Sequence, residues 1–272
     1  MTLNEAISLL KEAGIESAEH DARELFRAFG AADALGRVDR TADCASDGLN
    51  EALVRRSARE PLQYIIGRVG FYREEYRVTP DVLIPRADTE HLVDYAVKHI
   101  PEGESFVDLC CGSGCIAIST LKNTKNTTAT AVDISASALL VAEENARENG
   151  VLDRITLIER DVLAGTQMPD GGCYAVLSNP PYVSEDAYSA LEPEIYREPR
   201  SAFVGGADGG DFYRALVPTA KKMIKPEGFV AFEIGFDQKD LLTDLAECNG
   251  MSIEIIKDYS GNDRVAVLRV RG

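Results

Sequence analysis

Apolar residues in the first sixty positions recur at intervals of three and four, the spacing of a helix that buries one face. Thr2 and Glu5 have the spacing of a capping box, and Ala6, Leu9, Leu10 and Ala13 form the stripe behind it. Gly14 is placed to stop that helix. Ser17 is placed to cap a second helix, through Ala22, Leu25, Phe26 and Phe29 to Gly30. A third is expected over 47–59, before Pro61 breaks the pattern. Residues 1–63 therefore read as a small helical domain. Residues 64–85, YIIGRVGFYREEYRVTPDVLIP, change to aromatic and β-branched runs around a turn-like REE, which predicts a β-hairpin linking two domains.

From 86 to 272 the pattern becomes strand–helix alternation. Asp88 is expected to cap a helix reaching Ile100. SFVDLC, TATAVDI, ITLIERD and YAVLSN read as short buried strands, with GCIAISTLK and SALLVAEENAREN as helices between them. FVAFEIG, MSIEIIKD and RVAVLRV are strand-like further on, with helices expected over 211–224 and 238–248. Pro218 falls inside the first of these and is expected to kink it. Such alternation predicts an α/β fold with a parallel sheet covered by helices. The last two strands have no helix between them and are expected to pair antiparallel at an edge.

Composition narrows this picture. The chain has 272 residues, 45% hydrophobic and 27% charged, as in a globular protein. No apolar run approaches the roughly 18 residues of a membrane span. The first residues are polar and acidic, unlike a secretory signal, so a cytoplasmic protein without membrane contact is expected. The formal net charge of −16 argues against direct nucleic-acid binding. A local exception is the window holding Arg55, Arg56, Arg59, Arg68, Arg73 and Arg77, either a solvated surface or a docking surface for a macromolecule. The six cysteines lack a disulfide spacing and read as reduced thiols. Cys110, Cys111 and Cys115 straddle a glycine turn with no histidine nearby, so no metal site is expected. His20, His91 and His99 sit on predicted helices and have no assigned chemistry.

Candidate chemistry begins at VDLCCGSGC, where a strand ends and a helix opens. The G-x-G alone is a weak signal, since any tight turn uses glycine. Asp133 strengthens it: it lies at the tip of the next strand, 21 residues after Gly112, placed to accept hydrogen bonds from ribose hydroxyls. Asp161 and Val162 lie at the tip of the strand after that, where a carboxylate or a backbone amide can read adenine. A dinucleotide normally needs a third glycine for its pyrophosphate, and Ala117 stands there. S-adenosylmethionine has no phosphate and a positive sulfonium, which the acidic strand end at Asp108 suits. The sequence therefore favours S-adenosylmethionine over NAD.

Asn179-Pro180-Pro181-Tyr182 stands where a buried strand stops. A following proline holds Asn179 extended. Two prolines supply carbonyls and no N–H, so the corner offers acceptors: the Asn179 amide oxygen and the Pro180 carbonyl. Two acceptors at a rigid turn fit a planar NH2 group, and the Tyr182 ring can lie on its flat face. A carboxamide nitrogen is a poor nucleophile, so holding both its N–H bonds and aiming it at a methyl carbon is what an enzyme can contribute. The motif holds no histidine or carboxylate, so the proton is expected to leave to water.

The quartet Asn179–Tyr182 after an apolar strand is similar to that of S-adenosylmethionine-dependent methyltransferases acting on planar nitrogens. PLQYIIG (61–67), VLIPRADTEHLV (82–93), EPRSAFVGGADGGDFYR (198–214), FEIGFDQ (232–238), DAREL in the second helix and GNDRVAV near the end narrow the match. Together they resemble the peptide chain release factor glutamine methyltransferase family, of the HemK/PrmC type, over nearly the whole chain. The resemblance implies a class I, Rossmann-like methyltransferase sheet (86–272), a helical release-factor-binding domain (1–63) and a hairpin linker (64–85). It implies methyl transfer to the amide nitrogen of the glutamine in the Gly-Gly-Gln motif of class 1 release factors, by a cytoplasmic monomer. Cys110, Cys111, Gly112, Ser113 and Gly114 would form the cofactor loop, with Asp108 at its strand end. Asp133 would hold the ribose, Asp161 and Val162 would flank the adenine, and Asn179, Pro180, Pro181 and Tyr182 would hold the glutamine. Catalysis would fall to Asn179, Pro180 and Tyr182, with Asn179 also touching the cofactor. The family usually has Gly-Thr where this chain has Cys110-Cys111. DNA adenine or rRNA base methylation shares the quartet, as does the same chemistry on a ribosomal-protein glutamine. A non-catalytic binding module is the reading from a different class.

Overall fold

The computed structural model describes residues 1–29, 36–41, 43–44, 46–164 and 172–272. The chain divides into two compact units, Met1–Arg68 with Glu192–Arg197, and Val69–Leu191 with Glu198–Gly272.

The first unit holds four helices, α1 (Leu3–Glu12), α2 (Ala18–Ala28), α3 (Asp47–Ser57) and α4 (Leu62–Ile66). The Thr2–Glu5 capping box forms in both directions. Ser17 precedes α2 without a capping bond from its side chain, and Gly30 lies outside the described residues. Leu3, Leu10, Leu25, Phe26, Leu49 and Leu53 meet in one apolar core. Burial of each is worth roughly 1.5–3 kcal/mol. Residues 64–66 finish a short helix rather than opening the hairpin. Pro61 stands at its N-terminal cap, and Gly67, at φ +80°, ends it.

The hairpin itself is β1 (Arg68–Phe71) and β2 (Glu74–Arg77). In the second unit Tyr76 is fully buried, with its hydroxyl 2.6 Å from Ser119 Oγ. The Glu90 carboxylate accepts the Tyr72 N–H at 2.8 Å. Asn145 reads the main chain of Arg77 in both directions, at 2.7 and 3.1 Å. The aromatic character of this stretch therefore reflects docking onto the second unit's helices.

That unit continues as α5 (Glu90–His99), β3 (Ser105–Leu109), α6 (Cys115–Lys122), β4 (Thr128–Asp133), α7 (Ala136–Glu148), β5 (Ile155–Glu159), β6 (Cys173–Ser178), α8 (Glu185–Tyr188), α9 (Asp211–Met223), β7 (Ile224–Glu233), α10 (Lys239–Cys248), β8 (Met251–Lys257) and β9 (Asp263–Val270). Asp88 does not cap α5. It sits in a 3-10 turn over 87–89, its carboxylate 3.3 Å from Arg264, and Thr89 takes the cap position. α9 runs on through Pro218.

The seven strands lie in the order β5-β4-β3-β6-β7-β9-β8. β3 to β7 are parallel; β9 runs antiparallel to both β7 and β8. The antiparallel pair is thus at one edge, but β9 is inserted inside β8. Burial explains the order: Val265–Leu268 are covered on both faces, whereas β8 beyond Met251 has only half-buried and exposed residues, as an edge strand does. Successive strand residues feed opposite layers. Phe106, Leu177 and Phe229 meet the layer containing α5 and α6 residues, while Val107, Val176 and Phe232 meet that of α9 and α10.

β3 is the switch point. The chain moves from β3 outward to β4 and β5, then returns to place β6 on the other side of β3. The loops after β3 and β6 leave in opposite directions, and a crevice opens between them at the carboxyl edge of the sheet.

Candidate active site

A cavity of about 380 Å³ occupies that crevice, within the range of small-molecule sites. Of the residues singled out in the sequence, Cys110, Gly112, Asp133, Asp161, Val162, Asn179 and Pro181 line it. Asp108, Cys111, Ser113, Gly114, Pro180 and Tyr182 lie close to those residues in the chain and are not themselves in its lining.

The loop after β3 is held from three sides. Cys111 N–H donates to the Val132 carbonyl at 3.0 Å, Gly112 N–H to Asp133 Oδ2 at 2.8 Å, and Ser178 Oγ–H to the Leu109 carbonyl at 2.5 Å. Asp133 Oδ1 accepts the Ser135 N–H at 2.9 Å. Both its oxygens are therefore oriented by main chain and keep further lone pairs. Cys110 has φ +59° and Gly112 φ +53°. A side chain in the left-handed region costs roughly 1–2 kcal/mol, so the chain carries strain where a glycine would carry none.

Asp108 lies fully buried under the loop. Its Oδ2 accepts the Ala117 N–H at 3.1 Å, and Oδ1 has no partner. Burial pushes its carboxyl up to about 8, against the lowering effect of the Ala117 bond. It lies outside the residues that line the cavity. Burial likewise raises the thiols of Cys110 and Cys111, and that of Cys115 to about 12, so these sulfurs stay protonated.

Asn179 Nδ2 donates to Thr89 Oγ1 at 3.2 Å. The amide nitrogen is thereby engaged, and the carbonyl end is left to accept. Tyr182 is gripped at both ends, its hydroxyl donating to Glu233 Oε1 at 3.1 Å and its carbonyl accepting from Gln238 Nε2 at 3.0 Å. Burial raises the Tyr182 phenol well above its ordinary value, so it remains a donor.

Two supports escaped the sequence reading. The glycine-rich run 205–210 lies against the back of the proline corner: a Cβ on Gly205 would stand 2.4 Å from the Pro181 carbonyl oxygen, and one on Gly209 2.2 Å from that of Tyr182. Backbone bonds between Val183 and residues 203 and 205 stitch the two segments together. Second, Glu198, buried, accepts the Ile84 N–H at 2.9 Å and pairs with Arg86. It fixes the end of the stretch whose residues 80–83 form a cavity wall. The wall also includes Ile134, 60% exposed beside Asp133, and Phe212. The signal for Ile134 was an apolar residue directly after an acidic strand tip.

The arginine window is internally paired. Arg56 is 6% exposed and bonded to Asp21 at 2.7 Å and to Glu194 at 3.1 Å. Arg55 pairs with Glu60, Arg59 with Glu194, and Arg77 with Glu144 and Glu148. Arg73 bonds Asn123, and Arg68 also has a partner. Of the two readings of this window, a solvated or a docking surface, the structure shows only that most of these guanidinium groups have carboxylate partners within the chain, with Arg56 buried and Arg55, Arg59 and Arg77 partly exposed.

Residues 2–67 match the PrmC N-terminal domain family, and residues 88–206 the methyltransferase small domain family. The chain is 37% identical over 276 residues to the release factor glutamine methyltransferase of Moorella thermoacetica, covering 96% of this chain and 95% of that protein. It is 36% identical over 266 residues to that of Caulobacter vibrioides, covering 95% and 91%. Among solved structures, the ribosomal protein L11 methylase of Lactobacillus delbrueckii subsp. bulgaricus superposes with a TM-score of 0.51 at 20% identity, over 69% of this chain and 81% of that one. That likeness speaks to the fold alone. Near-complete coverage by relatives of one name, with the Asn-Pro-Pro-Tyr corner at the switch-point cavity, makes this chain a methyltransferase belonging to the release factor glutamine methyltransferase family.

Proposed function

We propose that this enzyme transfers a methyl group from S-adenosylmethionine to the side-chain amide nitrogen of the glutamine in the Gly-Gly-Gln motif of class 1 release factors. The observation that carries this reading is the orientation of Asn179: its NH2 is spent on Thr89, so its oxygen is the end available at the cavity. With Pro180 and Pro181 offering no N–H, the corner accepts and does not donate, as a substrate NH2 requires.

The residues present fit the cofactor. Asp133 has oriented oxygens for two ribose hydroxyls. Ile134 and Val162 offer apolar surface for a flat base, with Asp161 beside them. Three carboxylates against one arginine line the cavity, which suits a cationic ligand better than a pyrophosphate. When bound, S-adenosylmethionine supplies a methyl carbon made electrophilic by its sulfonium. The chain's own contribution is positioning. Asn179 Oδ1 and the Pro180 carbonyl hold the two N–H bonds of the incoming amide, and Tyr182, braced by Glu233 and Gln238, gives the corner its stiffness. As positive charge develops on the nitrogen, the same acceptors bind it more tightly, which favours the transition state over the ground state. The extra proton passes to water.

In this reading the helical unit engages the release factor, and the enzyme works as a cytoplasmic monomer. No described helix is long and apolar enough to cross a membrane. The test is transfer of label from methyl-tritiated S-adenosylmethionine to a release factor, to the same factor with its Gly-Gly-Gln glutamine changed, and to bare nucleic acid. Label on the first alone is expected, and the Asn179→Ala variant is expected to lose transfer while still binding cofactor. Label on nucleic acid alone, or near-normal turnover by that variant, would overturn the assignment.

A further inference from the structure

Seven large apolar side chains stand exposed among the described residues, and four of them sit just past the carboxyl ends of strands: Ile134 after β4, Leu163 after β5, Phe236 after β7 and Tyr259 after β8. Exposed apolar residues scattered singly need no explanation, but a group along one edge does. β4, β5 and β7 belong to the parallel set, and β8 runs with them because β9 is antiparallel to both β7 and β8. All four side chains therefore lie at the same edge of the sheet. Ile134 and Leu163 belong to the cavity wall, whereas Phe236 and Tyr259 lie outside it. Along the sheet, β5, β4 and β3 carry the acidic tips and the glycine turn, β6 carries the Asn179 corner, and β7, β9 and β8 continue beyond it.

Both rings are held out by built turns. Gln238 closes the turn under Phe236: its Oε1 accepts the Gly235 N–H at 2.9 Å and its Nε2 donates to the Tyr182 carbonyl at 3.0 Å. Phe236 is 70% exposed there, between Glu233 and Gln238, which each bond Tyr182. Asp258 closes the β8–β9 turn, its Oδ1 accepting the N–H groups of Ser260 and Asn262, each at 2.9 Å. Tyr259 is 94% exposed in that turn, its ring centroid 4.5 Å from that of His91. Arg264 pairs with both Asp258 and Asp88, which fastens the turn to the residues before α5. Thr89, next to Asp88, accepts from Asn179 Nδ2. One ring is thus fixed to the corner through Tyr182 and the other through Thr89.

Exposed rings on fixed turns gain when something covers them. We propose that Phe236 and Tyr259 form a rim that receives the extended main chain beside the methylated glutamine of the protein substrate. An amide seated at Asn179 has the cofactor cavity on its β3 side. The chain that carries the amide passes over the adjoining ground, which is the edge at β7 and β8. Those strands stand about 10 Å apart, two strand spacings, a distance that about three extended residues span. Charge favours peptide over nucleic acid: Asp88, Asp237 and Asp258 stand in these turns beside Arg264, so the rim repels phosphate and accepts neutral or basic peptide. The inference rests on the reading of a release factor as substrate.

With full-length enzyme and a release factor, Phe236→Ala and Tyr259→Ala are each expected to raise KM for the factor about tenfold and to change kcat little. Melting temperature and affinity for S-adenosylhomocysteine should stay at wild-type values. Phe236→Tyr and Tyr259→Phe keep the rings and should remain within twofold of wild type. KM within twofold of wild type in both alanine variants overturns the rim. So does a rise in KM accompanied by loss of melting temperature and cofactor affinity, which marks a structural role. The occupant is identified by placing the photo-crosslinker p-benzoylphenylalanine at position 236 or 259. Crosslinks to residues flanking the target glutamine are expected; crosslinks only to remote parts of the factor, to nucleic acid or to a second copy of this chain overturn the proposal. If the wild-type enzyme labelled no release factor, the functional reading itself would fail. Normal labelling with KM unaffected by both alanine variants would sink the rim alone.

Discussion

Asp108 shows how one buried carboxyl beneath the loop after β3 shapes the pH dependence of stability. Its carboxyl sits near 8 in the folded chain, held up by burial, whereas an unfolded aspartate titrates near about 3.9. The native state therefore holds an extra proton between about pH 4 and pH 8, and the associated stability is lost as pH rises through that window. Asp108→Asn removes the titration and keeps the shape. Its melting temperature, measured without cofactor, should fall less than that of the wild type between pH 5 and 8.5; parallel curves would contradict the assignment. Cys110 offers a second test at this scale. Replacing it loses a half-buried thiol whatever the new residue, so the informative comparison is between two variants. Cys110→Gly should be more stable than Cys110→Ala by about 1 kcal/mol in denaturant melts, because only alanine keeps a Cβ in the left-handed region. Equal stability would mean that the loop relaxes freely.

At the scale of elements, the proline corner is stiff because a second segment is packed against its main chain. Gly205 and Gly209 admit the carbonyls of Pro181 and Tyr182 at distances no Cβ allows, and Gln238 ties Tyr182 to Gly209 from the far side. Gly209→Ala should move the corner and lower turnover by at least an order of magnitude, while Asp133 and the cofactor loop keep their affinity for S-adenosylhomocysteine. Turnover within twofold of wild type would show that the loop does not brace the corner. The run was visible in the sequence only as part of a resemblance. Its physical reason, close approach of two backbones distant in sequence, has no local signature.

For the molecule as a whole, the balance of charge is resolved within each unit. In the helical unit the Asp21–Arg56–Glu194 cluster joins α2, α3 and the returning segment 192–197, with both Arg56 and Asp21 buried. Breaking a buried pair leaves a charge without compensation and costs about 3–5 kcal/mol. Arg56→Ala should therefore speed amide hydrogen exchange in α1–α3 by orders of magnitude and leave β3, β6 and β7 protected. Unchanged exchange in those helices would make the cluster energetically idle. The acidic excess has no such internal use, and it disfavours nucleic acid as a partner.

The chain's own order of residues determined the strands and helices around the site, the glycine turn, the acidic strand tips at Asp133 and Asp161 and the donor-free corner at Asn179. Those are short-range properties: periodicity, φ restriction and the inventory of donors and acceptors. Tertiary structure alone decided that β9 lies between β7 and β8, that the arginines face carboxylates, and that Asp108 stands beneath the loop. It alone decided which end of Asn179 is free. Each of these depends on a partner remote in sequence, such as Thr89 for Asn179 across 90 residues or Glu194 for Arg56 across 138, and no local pattern encodes a contact of that span.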